Sequence, residues 1–198
     1  MNNLLEMFLE LEKIKDVKRY GLHHKVFRES VADHTFLMIV IGTKLMEDLK
    51  LNLDYKKVVK LITYHDICEL GLASDFDAEK AKTDKDYHCR KKETERKTIE
   101  NLSNKYGKEF LELYNEYERQ QTQEAKFVKA IDKLETNIHE AVRGMKYIIN
   151  ADFTALYPKD AVKNFPLLLP FYREVLAFMK IKYIEAGLPW KEEYERID

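Results

Sequence analysis

Apolar residues along this chain recur at helical rather than strand spacing. Over 3–15, Leu4, Leu5, Phe8, Leu9 and Leu11 stand among acids and lysines, close to the 3.6-residue period. A polar connection, KDVKRYGLHHKVFRE, follows with Gly21 as a turn position. The next stretch, SVADHTFLMIVIGTKLMEDL, opens with Ser30 as N-cap and Asp33 three residues on, the pattern of a capping box. It is apolar nearly all round from Phe36 to Ile41, which predicts a buried central helix. Asp54 caps a second such helix, expected to run to about Leu70, and Gly71 opens the loop GLASDFDAEKAK.

A strongly charged helix is expected from about Asp84 to Lys105, broken by Gly107. KEFLELYNEYERQ reads as a shorter amphipathic helix. TQEAKFVKAIDKLETNIHEAVRGMKYI places Phe127, Ile131, Leu134, Ile138 and Val142 on one face of another. All four prolines lie beyond residue 157, and the chain ends in a helix around FYREVLAFMKIKYIEAG. No segment alternates as a strand. The pattern predicts an all-α fold of about seven to eight helices.

Composition narrows the class. The chain has 198 residues, 45% of them apolar and 35% charged, enough to bury a core without crosslinks and suited to a single domain over 1–198. Its core is expected over about 1–150, with a C-terminal helical extension over 151–198. The net charge of −1 argues against a nucleic-acid polymer or an anionic membrane as partner. Two cysteines, Cys68 and Cys89, suit a reducing cytoplasm. The N-terminus interleaves acids with its apolar residues, unlike a signal peptide, and no apolar run approaches a membrane span.

Candidate chemistry centres on LITYHDICELG, where His65, Asp66 and Glu69 sit in an apolar run. One His-Asp pair is weak evidence, because six His and 13 Asp in this length supply about 0.4 such pairs by chance. His34 at the start of one apolar helix and Asp132 on the flank of another change that picture. A divalent cation explains why imidazoles and carboxylates would gather where desolvation otherwise penalises them. Two nitrogens and two oxygens suit Mn, Fe, Co, Ni or Zn better than Ca. Glu69, four residues after His65 and three after Asp66, is expected to share their face of the helix.

The order His34, His65–Asp66, Asp132 resembles the H…HD…D signature of the HD-domain metal-dependent phosphohydrolases. RESVADHT, HDICEL and EAKFVKAIDKLE are similar to the corresponding blocks of the branch holding the bacterial 5′-deoxynucleotidases and the HD domain-containing protein 2 group. The likeness covers roughly residues 1–150 and implies an HD-domain helical bundle. It also implies metal binding by His34, His65, Asp66 and Asp132, and attack of a metal-bound water on the phosphorus of a deoxyribonucleoside 5′-monophosphate. In this reading Glu69 moves the proton. The family's loop carboxylate, which usually follows a Gly, matches Asp75 if one residue is inserted, with Asp77 left open. VKRYG resembles the family's Arg-aromatic pair, which makes Arg19 a phosphate ligand and Tyr20 a neighbour of sugar or base.

His23, His24 and Arg28 share that loop and receive no role. Only His88 lies between the His-Asp pair and Asp132, so one metal per chain is expected rather than two. The resemblance also implies a homodimer. Two alternatives stay open: an HD-type hydrolase of an alarmone or nucleoside triphosphate, and a non-catalytic helical binding module pinned by the metal. Three features read as structural: the charge run over 79–108 as a solvated face, Tyr114 and Tyr117 as packing, and Cys68 as an inert buried thiol.

Overall fold

A computed structural model describes residues 4–22, 26–72 and 74–197; His23 and His24 lie outside the described residues. Its α-helices run α1 Leu4–Leu11, α2 Val31–Asp48, α3 Tyr55–Tyr64, α4 Ala78–Thr83 and α5 Lys85–Tyr106. They continue with α6 Glu109–Arg119, α7 Gln123–Gly144, α8 Ala151–Leu156, α9 Lys159–Asn164 and α10 Leu169–Glu185. Among the described residues there is no strand, only three isolated bridges. The all-α expectation holds. The two short helices α8 and α9 in the proline-bearing segment, and α4 inside the expected loop, are additions to it.

Helix α7 is the axis of the fold and packs against α2, α3, α6, α9 and α10. Its Phe127, Ile131 and Leu134 are fully buried against Met38 of α2, Leu61 and Ile62 of α3, and Tyr172 and Met179 of α10. Each such side chain contributes about 1.5–3 kcal/mol through burial. A second cluster of Cys68, Ile99, Leu102, Phe110 and Tyr114 joins α5 and α6 to the turn after α3. No helix among the described residues is long and apolar enough to cross a membrane.

Three sequence expectations change on folding. Helix α2 buries only the stripe Val31, His34, Met38, Gly42 and Met46, while Phe36 and Val40, on the opposite face, are 69% and 47% exposed. The stripe on α7 continues through Ala141 rather than Val142, which is 60% exposed. Seven residues after Leu134 fall within about 20° of its direction, whereas eight fall about 80° away. Helix α3 ends at Tyr64 rather than near Leu70. His65 caps it, Asp66 takes φ −107° and ψ 8°, and a 3₁₀ turn spans Ile67–Glu69.

Local signals place the chemistry-bearing segments. Ser30 and Asp33 form the expected capping box, with the Ser30 amide donating to Asp33 Oδ2 at 2.9 Å and the Asp33 amide to Ser30 Oγ at 3.1 Å. Such a cap contributes about 1 kcal/mol and fixes His34 in the first turn of α2. The extended segment holding Arg19 is pinned on both sides. Val31 N donates to Val17 O and Arg19 N to Glu29 O, while Asp75 N donates to Lys18 O at 2.8 Å.

Gly42 marks the closest approach of α2 to α3 and α7. A Cβ there would lie 3.0 Å from Ile131 Cδ1 and 3.1 Å from Ile62 Cδ1. Gly42→Leu is expected to destabilise the protein by about 1–3 kcal/mol through overpacking. A denaturant midpoint equal to that of the parent protein would show that the helices are not packed this closely.

Candidate metal centre and active site

Four side chains from three places in the chain converge on one buried point. His34 comes from the first turn of α2, His65 and Asp66 from the turn that ends α3, and Asp132 from the middle of α7. His34 Nε2 stands 3.4 Å from Asp132 Oδ1, and His65 Nε2 stands 3.1 Å from Asp66 Oδ2. The two imidazole rings are 5.5 Å apart between centroids. Ligating atoms of His34, His65 and Asp66 lie within 4.8 Å of one another.

Hydrogen bonding on the outer side of His34, His65 and Asp132 leaves one further atom of each without a partner. His65 Nδ1 lies 2.7 Å from the Ile62 carbonyl, which only accepts, so Nδ1 carries the proton and Nε2 offers a lone pair. His34 Nδ1 bonds the fully buried Glu135. Asp132 Oδ2 accepts from Tyr117 Oη at 2.6 Å and from Lys133 Nζ at 2.9 Å. That leaves His34 Nε2, His65 Nε2 and Asp132 Oδ1 buried with no hydrogen-bond partner. Lone pairs facing one another in a desolvated space are costly, and a divalent cation removes the cost. These residues therefore fit a transition-metal ion with mixed nitrogen and oxygen donors.

Electrostatics agree. Burial opposes ionisation of Asp132, but Lys133 and the other nearby cations hold its carboxyl well below the usual range. Burial likewise opposes the Asp66 carboxylate, and His65 and Arg19 outweigh it. Burial and Arg19 disfavour a charged His34, yet Glu135 and Asp132 prevail and raise it to about 9. The same carboxylates that favour positive charge on His34 favour a cation beside it.

The other expected residues surround this point. Arg19 Nη1 donates to Asp66 Oδ2 at 2.9 Å and Nη2 to Thr136 Oγ1 at 3.0 Å, with Asp75 Oδ2 at 3.4 Å from Nη1. Glu69 is 2% exposed, and its Oε2 has no partner. Burial, then the charges of Asp75 and Asp66, push the Glu69 carboxyl well above its ordinary value. In the 3₁₀ turn the amide of Glu69 donates to the Asp66 carbonyl at 3.0 Å, so the three-residue spacing still brings these side chains together. Asp75 faces Arg19 and Glu69, whereas Asp77 caps α4 by accepting from Lys80 N at 3.0 Å. Tyr20 lines a neighbouring pocket, and Arg28 lies 3.5 Å from Ser74 Oγ.

The centre opens into a cleft of about 220 Å³ lined by Arg19, Glu69, Asp75, Lys91, Lys129 and Lys133, among others. Lys129 Nζ donates to Tyr117 Oη at 3.0 Å and stays 3.9 Å from Asp132 Oδ2; burial and Lys133 push it down to about 8. Sequence reasoning missed Glu135, Lys129 and Lys133. Their spacing from Asp132 (three after, three before and one after) was the available signal on a helix. It also read all of 79–108 as a solvated face, but Glu95 of α5 is 3% exposed and Lys91 and Lys92 line the cleft. Tyr117 packs as expected and also bonds the candidate ligand Asp132. The Cys68 thiol is buried and pushed well up by that burial, in keeping with an inert role.

Helices and donor set together describe a helical protein with a buried cluster of groups that could hold a divalent cation. An HD domain model matches residues 11–163, and the chain belongs to the HD domain family. It is 36% identical to the 5′-deoxynucleotidase HDDC2 of Dictyostelium discoideum over 68% of this chain and 74% of that protein. The human 5′-deoxynucleotidase HDDC2 is 33% identical over 67% of this chain, and the match spans 64% of its length. Fission yeast 5′-deoxynucleotidase hdd1 is 33% identical over 63% of this chain and 64% of its own. A conserved hypothetical protein from Pyrococcus furiosus superposes with a TM-score of 0.66 at 25% identity, covering 86% of this chain and 98% of its own. A predicted metal-dependent phosphohydrolase from Magnetospirillum magnetotacticum shares the fold, with a TM-score of 0.61 at 22% identity over 93% of this chain and 91% of that one. HD-domain phosphohydrolases use a divalent metal, and the donors above are groups that could hold one.

Glu135→Gln is expected to lower divalent-metal affinity about 10–100-fold, because it weakens the bond that orients His34. Calorimetric titration of metal-free protein with Mn²⁺ checks this, and unchanged affinity would remove Glu135 from the site.

Proposed function

We propose that this chain is a metal-dependent phosphomonoesterase that hydrolyses deoxyribonucleoside 5′-monophosphates to deoxyribonucleoside and phosphate. One observation carries the reading: three of the four candidate donors (His65, Asp66 and Asp132) and the buried Glu69 line one cleft with Arg19, Lys129 and Lys133. The curated relatives named as 5′-deoxynucleotidases support it. His34, His65, Asp66 and Asp132 hold one cation per chain, drawn from Mn, Co, Fe, Ni and Zn by the chemistry of their donors. When bound, the cation polarises phosphate oxygens and activates water as the nucleophile.

The chain's own residues supply the rest. Arg19 presents a planar fork that suits two phosphate oxygens, and it lies within reach of both candidate carboxylate ligands. Lys129 has no carboxylate oxygen at hydrogen-bonding distance among its described ion pairs, so a phosphate oxygen completes it. As the bond from water oxygen to phosphorus forms and the P–O5′ bond breaks, one proton must travel from water to O5′. Glu69 handles that proton: it is buried beside Asp66 and Asp75, and burial favours the protonated form of its carboxyl, which can give a proton up to a leaving oxygen. Asp75 sets the orientation and charge of both Glu69 and Arg19.

Lys91 and Lys92 on the outer wall are paired with Glu95 and Glu118. That pairing fits a monophosphate better than a longer polyphosphate chain. The reading includes a cytoplasmic homodimer, for which the exposed Phe36 and Val40 of α2 offer an apolar face.

Glu69→Gln should reduce phosphate release from dAMP with Mn²⁺ by about 10²–10⁴-fold while elemental analysis finds the metal retained. Turnover at the parent rate would remove Glu69 from the chemistry. Lys129→Met should raise KM for dAMP about 10–100-fold, the loss of one charged hydrogen bond. An unchanged KM in steady-state assays would place the phosphate elsewhere.

A further inference from the structure

A second pocket adjoins the cleft and shares Arg19, Asp75, Phe76 and Tyr157 with it. Its apolar walls are aromatic: Tyr20, Phe76, Phe153 and Tyr157, the last two with ring centroids 5.1 Å apart. Such rings offer a heterocycle stacking surfaces. Away from the cleft the lining turns acidic, with Asp77 and Glu79. Among the described residues lining it, Arg19 at the cleft end is the only Lys or Arg.

We infer that this pocket receives the nucleobase and prefers bases that carry an exocyclic amino group. The inference rests on the 5′-nucleotide reading above and deepens it. Asn150 caps α8 by accepting from Phe153 N at 3.0 Å, and its Nδ2 donates to Glu79 Oε1 at 2.6 Å. That bond fixes the orientation of the Glu79 carboxylate while leaving it capacity for further donors, since a carboxylate accepts up to about four hydrogen bonds. Asp77 is held in the same way by Lys80 N and by the Tyr20 hydroxyl. Glu140 at the inner wall bonds Thr154, and burial pushes its carboxyl up to about 8, so it is not an added carboxylate at neutral pH.

Carboxylates only accept. Adenine, cytosine and guanine each offer an amino group to them. Thymine and uracil offer a single ring N–H flanked by two carbonyl oxygens, so a carboxylate that accepts from it also meets a carbonyl lone pair. A site built to accept hydrogen bonds from an amino group discriminates against a base that brings carbonyl oxygens to the same edge. The cleft and the adjoining pocket meet at Arg19 and Tyr157, so a phosphate held in one can belong to the same molecule as a base held in the other.

Metal-loaded protein assayed with dAMP, dCMP, dGMP, dTMP and dUMP tests the inference. The amino-bearing nucleotides should exceed dTMP and dUMP in kcat/KM by at least about tenfold, and Glu79→Gln should compress that ratio to within about threefold. Equilibrium dialysis with deoxyadenosine and thymidine should give the same order without chemistry. Equal kcat/KM across the bases, or a ratio unchanged in Glu79→Gln, would overturn the pocket assignment alone. Failure to release phosphate from any 5′-nucleotide would overturn the activity instead, and the dialysis order would still decide the pocket.

Discussion

Lone pairs that face one another inside a dry core are the constraint on which this molecule turns. His34 Nε2, His65 Nε2 and Asp132 Oδ1 are buried and make no hydrogen bond among the described residues. Their outer atoms are committed to Glu135, to the Ile62 carbonyl, and to Tyr117 and Lys133. Three such atoms gathered at one point carry a desolvation cost that a bound cation would remove. Much of the architecture serves to hold those atoms together. The capping box sets His34, the tight end of α3 sets His65 and Asp66, and the central position of α7 sets Asp132. The same packing that buries Phe127, Ile131 and Leu134 carries Asp132 inward on the flank of that stripe.

Arg19 links this centre to the substrate side. Its guanidinium lies beside Asp66, Asp75 and Asp132, so it balances the carboxylates and reaches the cleft at once. It is able to do so because its extended segment is clamped between residues 29–31 and the loop at 74–75. In the proposed function, phosphate recognition and cation binding share one charge network. Substituting any single member alters the others, and effects within the network will not add.

The parts of the site legible in the sequence are those defined by residue type and order. His34, the His65–Asp66 pair, Glu69 and Asp132 stand in motifs whose chemistry is rare on apolar helices, and folding brings them together. Ser30, Asp33 and Asp54 announced their caps because capping depends on three or four neighbouring residues. Glu135, Lys129 and Lys133 were illegible for the opposite reason. Charged residues are common on helices, and only the packing of α7 among five other helices turns these inward. The early end of α3 and the exposure of Phe36 and Val142 were hidden likewise, since they depend on which neighbours arrive on each face.

The most direct test of this account is X-ray absorption spectroscopy at the metal edge of Co²⁺-loaded protein. Two imidazole nitrogens and carboxylate oxygens per cobalt are predicted, at the roughly 2.0–2.2 Å typical of such sites, and His65→Ala should remove one imidazole. An all-oxygen shell, or an imidazole count unchanged by that substitution, would contradict the central claim.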